Sequence, residues 1–127
     1  IHGRTTVLRD HDSISYFYFD FVEDLSGFEK QFRKKAEDAK SNYSFNPAEQ
    51  RHDLIHYSSV PWISFTQVKH ARRIPAADCI PKLVFGKYYK EGEKVLMPFS
   101  VSVHHSLVDG LHVGQYFEKF QKYLNDI

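Results

Sequence analysis

The stretch Val103 to Gly114, VHHSLVDGLHVG, concentrates the residue types that move protons. A pair of histidines, His104 and His105, is followed four residues after the second by Asp109-Gly110, and then by a helical pattern. With an unperturbed pKa of ~6.5, imidazole takes a proton from an alcohol near neutral pH. The flanking pattern predicts that the pair leaves the end of a strand, a rigid mouth of a sheet. Neighbouring strand residues point to opposite faces, so only one of the two enters a given site. The plainer reading makes the histidines packing residues and Asp109 an ordinary helix N-cap.

A second spacing, His52-Asp53-Leu54-Ile55-His56, would place two imidazoles on one face of a helix for a metal. Asp stands where a zinc protease needs its Glu, the segment leads into a strand, and no third ligand is evident. No metal is therefore expected.

The elements that position these groups follow from periodicity. Ser13 to Val22 alternates, with Ile14, Tyr16 and Tyr18 on one face and Ser15, Phe17 and Phe19 on the other, which is a strand. Ser26 with Glu29 reads as a capping box, and Phe28, Phe32, Ala36 and Ala39 give an amphipathic helix to about Ser41. Asn42 to Arg51 is polar, contains Pro47 and reads as a loop. Strands are expected at IHYSS, at WISFTQV and in the two arms of a hairpin turning at Glu91-Gly92-Glu93. The last helix starts near Asp109 with Leu111, Tyr116, Phe117, Phe120, Tyr123 and Leu124 as its buried stripe.

Composition bounds the function. The 127 residues are 42% hydrophobic and 26% charged, within the range of one globular domain spanning 1–127. Seventeen basic against sixteen acidic residues leave a net charge of +1 with no large basic block, so no nucleic-acid partner is expected. A single Cys79 and the lack of a long apolar run point to a cytoplasmic protein with no membrane partner. The opening IHGRTTVLRD reads as strand and turn, and the chain is short to enclose two substrates. It is expected to be the C-terminal portion of a longer chain.

PWISF, GKYYKEGEKVLMP and VHHSLVDGLHVGQYF occur in that order, and together they closely resemble the chloramphenicol acetyltransferase family from about Tyr57 onward. The resemblance implies an α/β two-layer sandwich of the coenzyme A-dependent acyltransferase type. It implies a homotrimer with active sites at the subunit interfaces, and direct acetyl transfer from acetyl-CoA, a co-substrate and not a permanently bound cofactor. The acceptor would be chloramphenicol or a similar hydroxyl-bearing small molecule, with drug resistance as the corollary. In the family the second His of the motif is the general base, here His105, and the serine three residues before Pro-Trp donates to the oxyanion, here Ser58. Asp109 would be structural, pairing in the family with an arginine outside this chain. Trp62, Lys87 and Tyr88 match coenzyme A-binding positions.

One departure stands out. The family often carries Thr, bridged by water to the tetrahedral intermediate, where this chain has Val84. Three alternatives remain: a different acceptor, a dihydrolipoyl acyltransferase sharing the H-x-x-x-D-G motif, and a trimeric acyltransferase-like protein that binds without turnover. The doubled His and the PW and GKYY segments count against the dihydrolipoyl class.

Overall fold

The computed structural model describes residues 1–43, 51–70 and 79–126. Seven strands, two α-helices and one 3-10 turn at Asp10–Asp12 are formed within these: β1 (His2–Leu8), β2 (Ile14–Asp20), α1 (Leu25–Ser41), β3 (Leu54–Val60), β4 (Lys82–Gly86), β5 (Tyr89–Glu91), β6 (Lys94–Leu96), β7 (Phe99–Ser102) and α2 (Gly110–Asn125). Five strands make one mixed sheet in the order β2-β1-β3-β4-β7. β1, β3 and β4 run parallel, and the two edges, β2 and β7, are antiparallel to their neighbours.

Alternation divides the sheet into two chemically distinct faces. On one, Phe17 and Phe19 of β2 pack with Ala39, Phe28, Phe32 and Ala36 of α1 and with Tyr57 of β3. Phe19 meets the Phe28, Phe32 and Tyr57 rings at centroid distances of 5.7, 5.2 and 5.5 Å, tilted or edge-on as aromatic quadrupoles prefer. On the same face, Phe85 of β4 and Phe99 of β7 stack at 4.7 Å and receive Phe120 of α2. Both helices therefore cover one face, giving the two-layer α/β arrangement expected.

Several local expectations are corrected. The cap of α1 is Asp24, whose carboxylate accepts from Gly27 N, so Ser26 lies inside the first turn and not at its boundary. WISFTQV is not a strand: after β3 the chain turns at Pro61-Trp62 and runs irregularly to residue 70. That irregular segment crosses the second face of the sheet. A side chain on Gly86 would strike the Phe65 ring and crowd the Ile63 carbonyl, so β4 needs glycine where the segment passes.

The hairpin does turn at Gly92-Glu93, with Gly92 at φ 61°, but its arms β5 and β6 are three residues each. The stripe of α2 is not buried. Leu111 and Tyr123 are 66% and 69% exposed, and α2 is held to the sheet chiefly by the Tyr116, Phe117 and Phe120 rings. Most of the loop expected over Asn42 to Arg51 lies outside the described residues.

Candidate functional site

Ser58 is the fifth residue of β3 and pairs with Val84 of β4, which in turn pairs with Ser100 of β7. Register partners share a face, so these three stand in one row across the sheet. The row lies on the face opposite the helices, because its neighbours Tyr57, Phe85 and Phe99 point into the helical layer. Val84 is 2% exposed.

His105 is placed differently from the strand-end expectation. β7 ends at Ser102, and His104 and His105 lie beyond it, in a turn closed by Leu107 N and Val108 N donating to the His104 carbonyl at 2.9 and 3.1 Å. The two-face rule for strands therefore does not sort them; exposure does. His104 is half-buried and its Nδ1 accepts from Ser106 N at 3.3 Å, whereas His105 is exposed.

Asp109 closes the same turn. It is the N-cap of α2, accepting from Leu111 N at 3.0 Å and His112 N at 3.2 Å, and its carboxylate lies 2.9 Å from His112 Nδ1. These donors, the His112 backbone N–H foremost, hold its carboxyl below the usual carboxylate range. The partner of Asp109 among the described residues is thus its own helix. A capped helix start on one side and a strand end on the other hold the backbone that carries His105.

Ser58 and His105 stand on different elements: Ser58 within β3, and His105 in the turn that follows β7, five positions beyond Ser100, which is level with Ser58. Neither of the two described cavities lined by Ser58 includes His105.

Trp62, Lys87 and Tyr88 gather at the opposite end of the sheet. Lys87 N donates to the Ile63 carbonyl at 2.8 Å, which sets the Pro61-Trp62 turn beside the start of the GKYY segment. Trp62 and Tyr88 are 63% and 68% exposed, so neither is interior packing in this chain. Tyr88 lines a groove with Phe99, Phe117 and Phe120 that Trp62 does not reach.

Two cavities meet at β3. One, of about 760 Å³, lies on the helical face between α1 and the sheet and is walled by Phe19, Phe28, Phe32, Tyr57 and Phe85. The other, of about 280 Å³, lies on the Ser58 face and is lined by Arg4, Thr6, Tyr16, His56, His70 and Lys82 with Ser58 itself. Sequence reading missed this polar cavity. Its only signal is that Arg4, His56 and Lys82 stand at alternate positions of three strands distant in sequence, which matters only once register is known.

Among the described residues, no group of three His, Cys, Asp or Glu converges to hold a metal. His56 lies in β3 and His52 before it, so the H-x-x-x-H spacing is not helical. No helix of the described residues is long and apolar enough to cross a membrane.

Similarity to known proteins bears on the family and the fold. The family model described as "Chloramphenicol acetyltransferase" matches residues 2–121. Among relatives, the chloramphenicol acetyltransferase of Proteus mirabilis is 29% identical over 115 residues, covering 91% of this chain and 53% of that protein. That of Campylobacter coli is 32% identical over 109 residues, covering 86% and 51%. The chain thus spans about half the length of the relatives it matches. A solved chloramphenicol acetyltransferase superposes with a TM-score of 0.81 at 21% identity, over 98% of this chain and 61% of the other. The dihydrolipoamide acetyltransferase of Azotobacter vinelandii superposes at 0.69 and 18% identity, over 99% and 54%. Both share the fold, and the match over residues 2–121 decides between them: the chain belongs to the chloramphenicol acetyltransferase family.

Proposed function

We propose that the protein transfers acetyl from acetyl-CoA to the hydroxyl of chloramphenicol or a similar small alcohol, with His105 as general base. The observation that carries the reading is the placement of His105, exposed on a turn fixed between β7 and the Asp109-capped α2.

In this reading an imidazole nitrogen of His105 removes the hydroxyl proton as the alkoxide oxygen bonds to the thioester carbonyl carbon. Ser58 donates to the oxyanion of the resulting tetrahedral intermediate. Collapse breaks the carbon–sulfur bond, and the imidazolium returns its proton to the departing coenzyme A thiolate. Both substrates are bound together and no acyl-enzyme forms. Trp62, Lys87 and Tyr88 hold coenzyme A, the rings offering stacking surface and the ammonium a phosphate contact.

That neither described cavity lined by Ser58 contains His105 supports sites shared between subunits of a homotrimer, His105 coming from one chain and Ser58 from the next. The chain would be the C-terminal portion of the enzyme, and the remainder would add acceptor contacts.

The test is acetyl-CoA turnover by the full-length protein, followed by thiol release, with chloramphenicol as first acceptor. Loss of one oxyanion donor in S58A should cost ~10²–10³ in kcat, and H105A should cost at least as much. Coenzyme A binding without turnover on any acceptor would favour the non-catalytic alternative.

A further inference from the structure

We infer that the strip of sheet between α1 and α2 is the seat of a third helix, supplied by the same polypeptide from outside residues 1–127. This rests on the reading of the chain as the C-terminal portion of a longer enzyme, and says where the remainder docks.

The widths of the layers are the first ground. Strands lie ~4.8 Å apart, so the edge strands β2 and β7 are ~19 Å apart across the order β2-β1-β3-β4-β7. The two helices sit toward these edges. Phe28 and Phe32 of α1 meet Phe17 and Phe19 of β2 at centroid distances of 5.1 to 5.7 Å. Phe99 of β7 takes Tyr116, Phe117 and Phe120 of α2 at 4.8 to 6.2 Å. Packed helices stand about 8–10 Å apart, so helices seated over the two edges leave a gap one helix wide. Among the described residues, no ring of α1 meets a ring of α2.

The gap is hollow and apolar. Its cavity of about 760 Å³ has Leu25, Phe28 and Phe32 of α1 as one wall and Tyr57, Ser59 and Phe85 in its floor. Ser59 pairs in register with Phe85 and lies two residues after Tyr57, so the three share the helical face. Phe120 of α2 reaches the far side of the floor at Phe85, 6.2 Å away. A helix ~10 Å across would fill such a volume over roughly two turns. Phe21 and Leu25 at the rim are 78% and 69% exposed, an apolar surface of the kind that marks an interface.

The same polypeptide is the occupant that the relatives favour. The match covers only 53% of the Proteus mirabilis protein and 51% of the Campylobacter coli one. Superposition over 98% of this chain uses 61% of the solved chloramphenicol acetyltransferase, leaving the rest of that chain to pack around a fold like this one. A helix flanked by α1, α2 and the sheet meets protein on three sides. Its sequence should therefore be apolar around most of its circumference, with one narrow polar stripe. Because β3 offers Tyr57 and Ser59 to the seat and Ser58 to the opposite face, the docked helix would also steady the strand that carries Ser58.

The test uses the full-length protein with the photo-crosslinking residue p-benzoylphenylalanine in place of Leu25 or, as a control, of the exposed Lys34. A link within one chain keeps the single-chain mass on a denaturing gel, and a link between chains doubles it. The residue at position 25 should link at single-chain mass to a peptide outside residues 1–127 with the pattern just described; position 34 should not. S59W, which places an indole in the seat, should lower the melting temperature by several degrees. Linkage at doubled mass gives the seat to a second copy, and capture of a small molecule makes it a ligand cavity. Either outcome overturns the inference, as does linkage confined to residues 1–127, no linkage at all, or an S59W melting temperature equal to that of wild type. A mature polypeptide with no further residues sinks the inference together with the reading it rests on. Acetyl transfer is followed in the same preparations: turnover without the link overturns only the seat, and the link without turnover on any acceptor keeps the seat and sinks the acetyl-transfer reading.

Discussion

Ser58 and Val84 are register partners on parallel strands, so a hydroxyl and an isopropyl group stand side by side on one face of the sheet. Where the family often carries Thr, this chain keeps the shape and omits the oxygen. V84T should raise kcat several-fold by restoring a water-bridged contact to the tetrahedral intermediate. It should also lower the melting temperature, because a hydroxyl introduced at a position 2% exposed costs ~1–3 kcal/mol unless it finds a partner. An unchanged kcat would mean that this position does not communicate with the reacting carbon.

If Ser58 and His105 serve one acetyl group from different chains, two dead variants should rescue each other. S58A and H105A, each inactive alone, are co-expressed or refolded together at equal amounts. Random assembly leaves about one quarter of interfacial sites with both groups intact, so about a quarter of wild-type turnover should return. No recovery would place both residues in a single chain's site.

Asp109 separates capping from charge. D109A removes the acceptor for Leu111 N and His112 N, whereas D109N retains a side-chain oxygen there. The alanine variant should lose thermal stability and turnover, and the asparagine variant should keep most of both. Equal loss in the two would assign the importance of Asp109 to its negative charge beside His112.

Acid should weaken the fold through three carboxylates held below their usual range. Asp20 is held chiefly by its hydrogen bond from His2, with Lys35 adding to it, Asp53 by Arg51, and Asp109 by the backbone N–H of His112. Each folded value lies below the unfolded one of ~4, so the stabilisation is complete above that pH. It is lost as pH falls through the folded values. The urea midpoint should therefore be insensitive to these groups at neutral pH and decline below pH ~4. D20N should flatten the decline, and because all three groups are exposed, added salt should shrink it.

Gly3 is held to glycine by a ring. A methyl group there would overlap the Phe19 side chain, which is 8% exposed and fixed between Phe28, Phe32 and Tyr57. G3A should cost ~1–3 kcal/mol as an overpacking change, read from chemical denaturation. A wild-type midpoint would show that α1 shifts to accommodate it.

Period and spacing were enough to read β2, the body of α1, the Gly92 hairpin and the Asp109 cap, because each is written in contiguous residues. What they could not show depends on neighbours distant in sequence. WISFTQV alternates like a strand yet has no ladder partner among the described residues, since the segment lies across the sheet and not within it. The stripe on α2 was legible as a pattern, but only Phe120 and the rings beside it find the Phe85–Phe99 pair; Leu111 and Tyr123 face outward. The roles proposed for His105 and Ser58 came from resemblance to a family. The cationic row of Arg4, His56 and Lys82 required the register of three strands.

The shallow seating of α2 reaches beyond packing. A helix with no fully buried residue, fastened to the sheet through a few rings, lifts away at a lower free energy than the strands beneath it. Its first turn is also the anchor for the His105 backbone, through Asp109. Amide exchange in α2 should therefore outpace exchange in β3 and β4, and each opening would displace His105. A ligand filling the groove that Tyr88 lines with Phe117 and Phe120 would slow those openings and steady His105 with them.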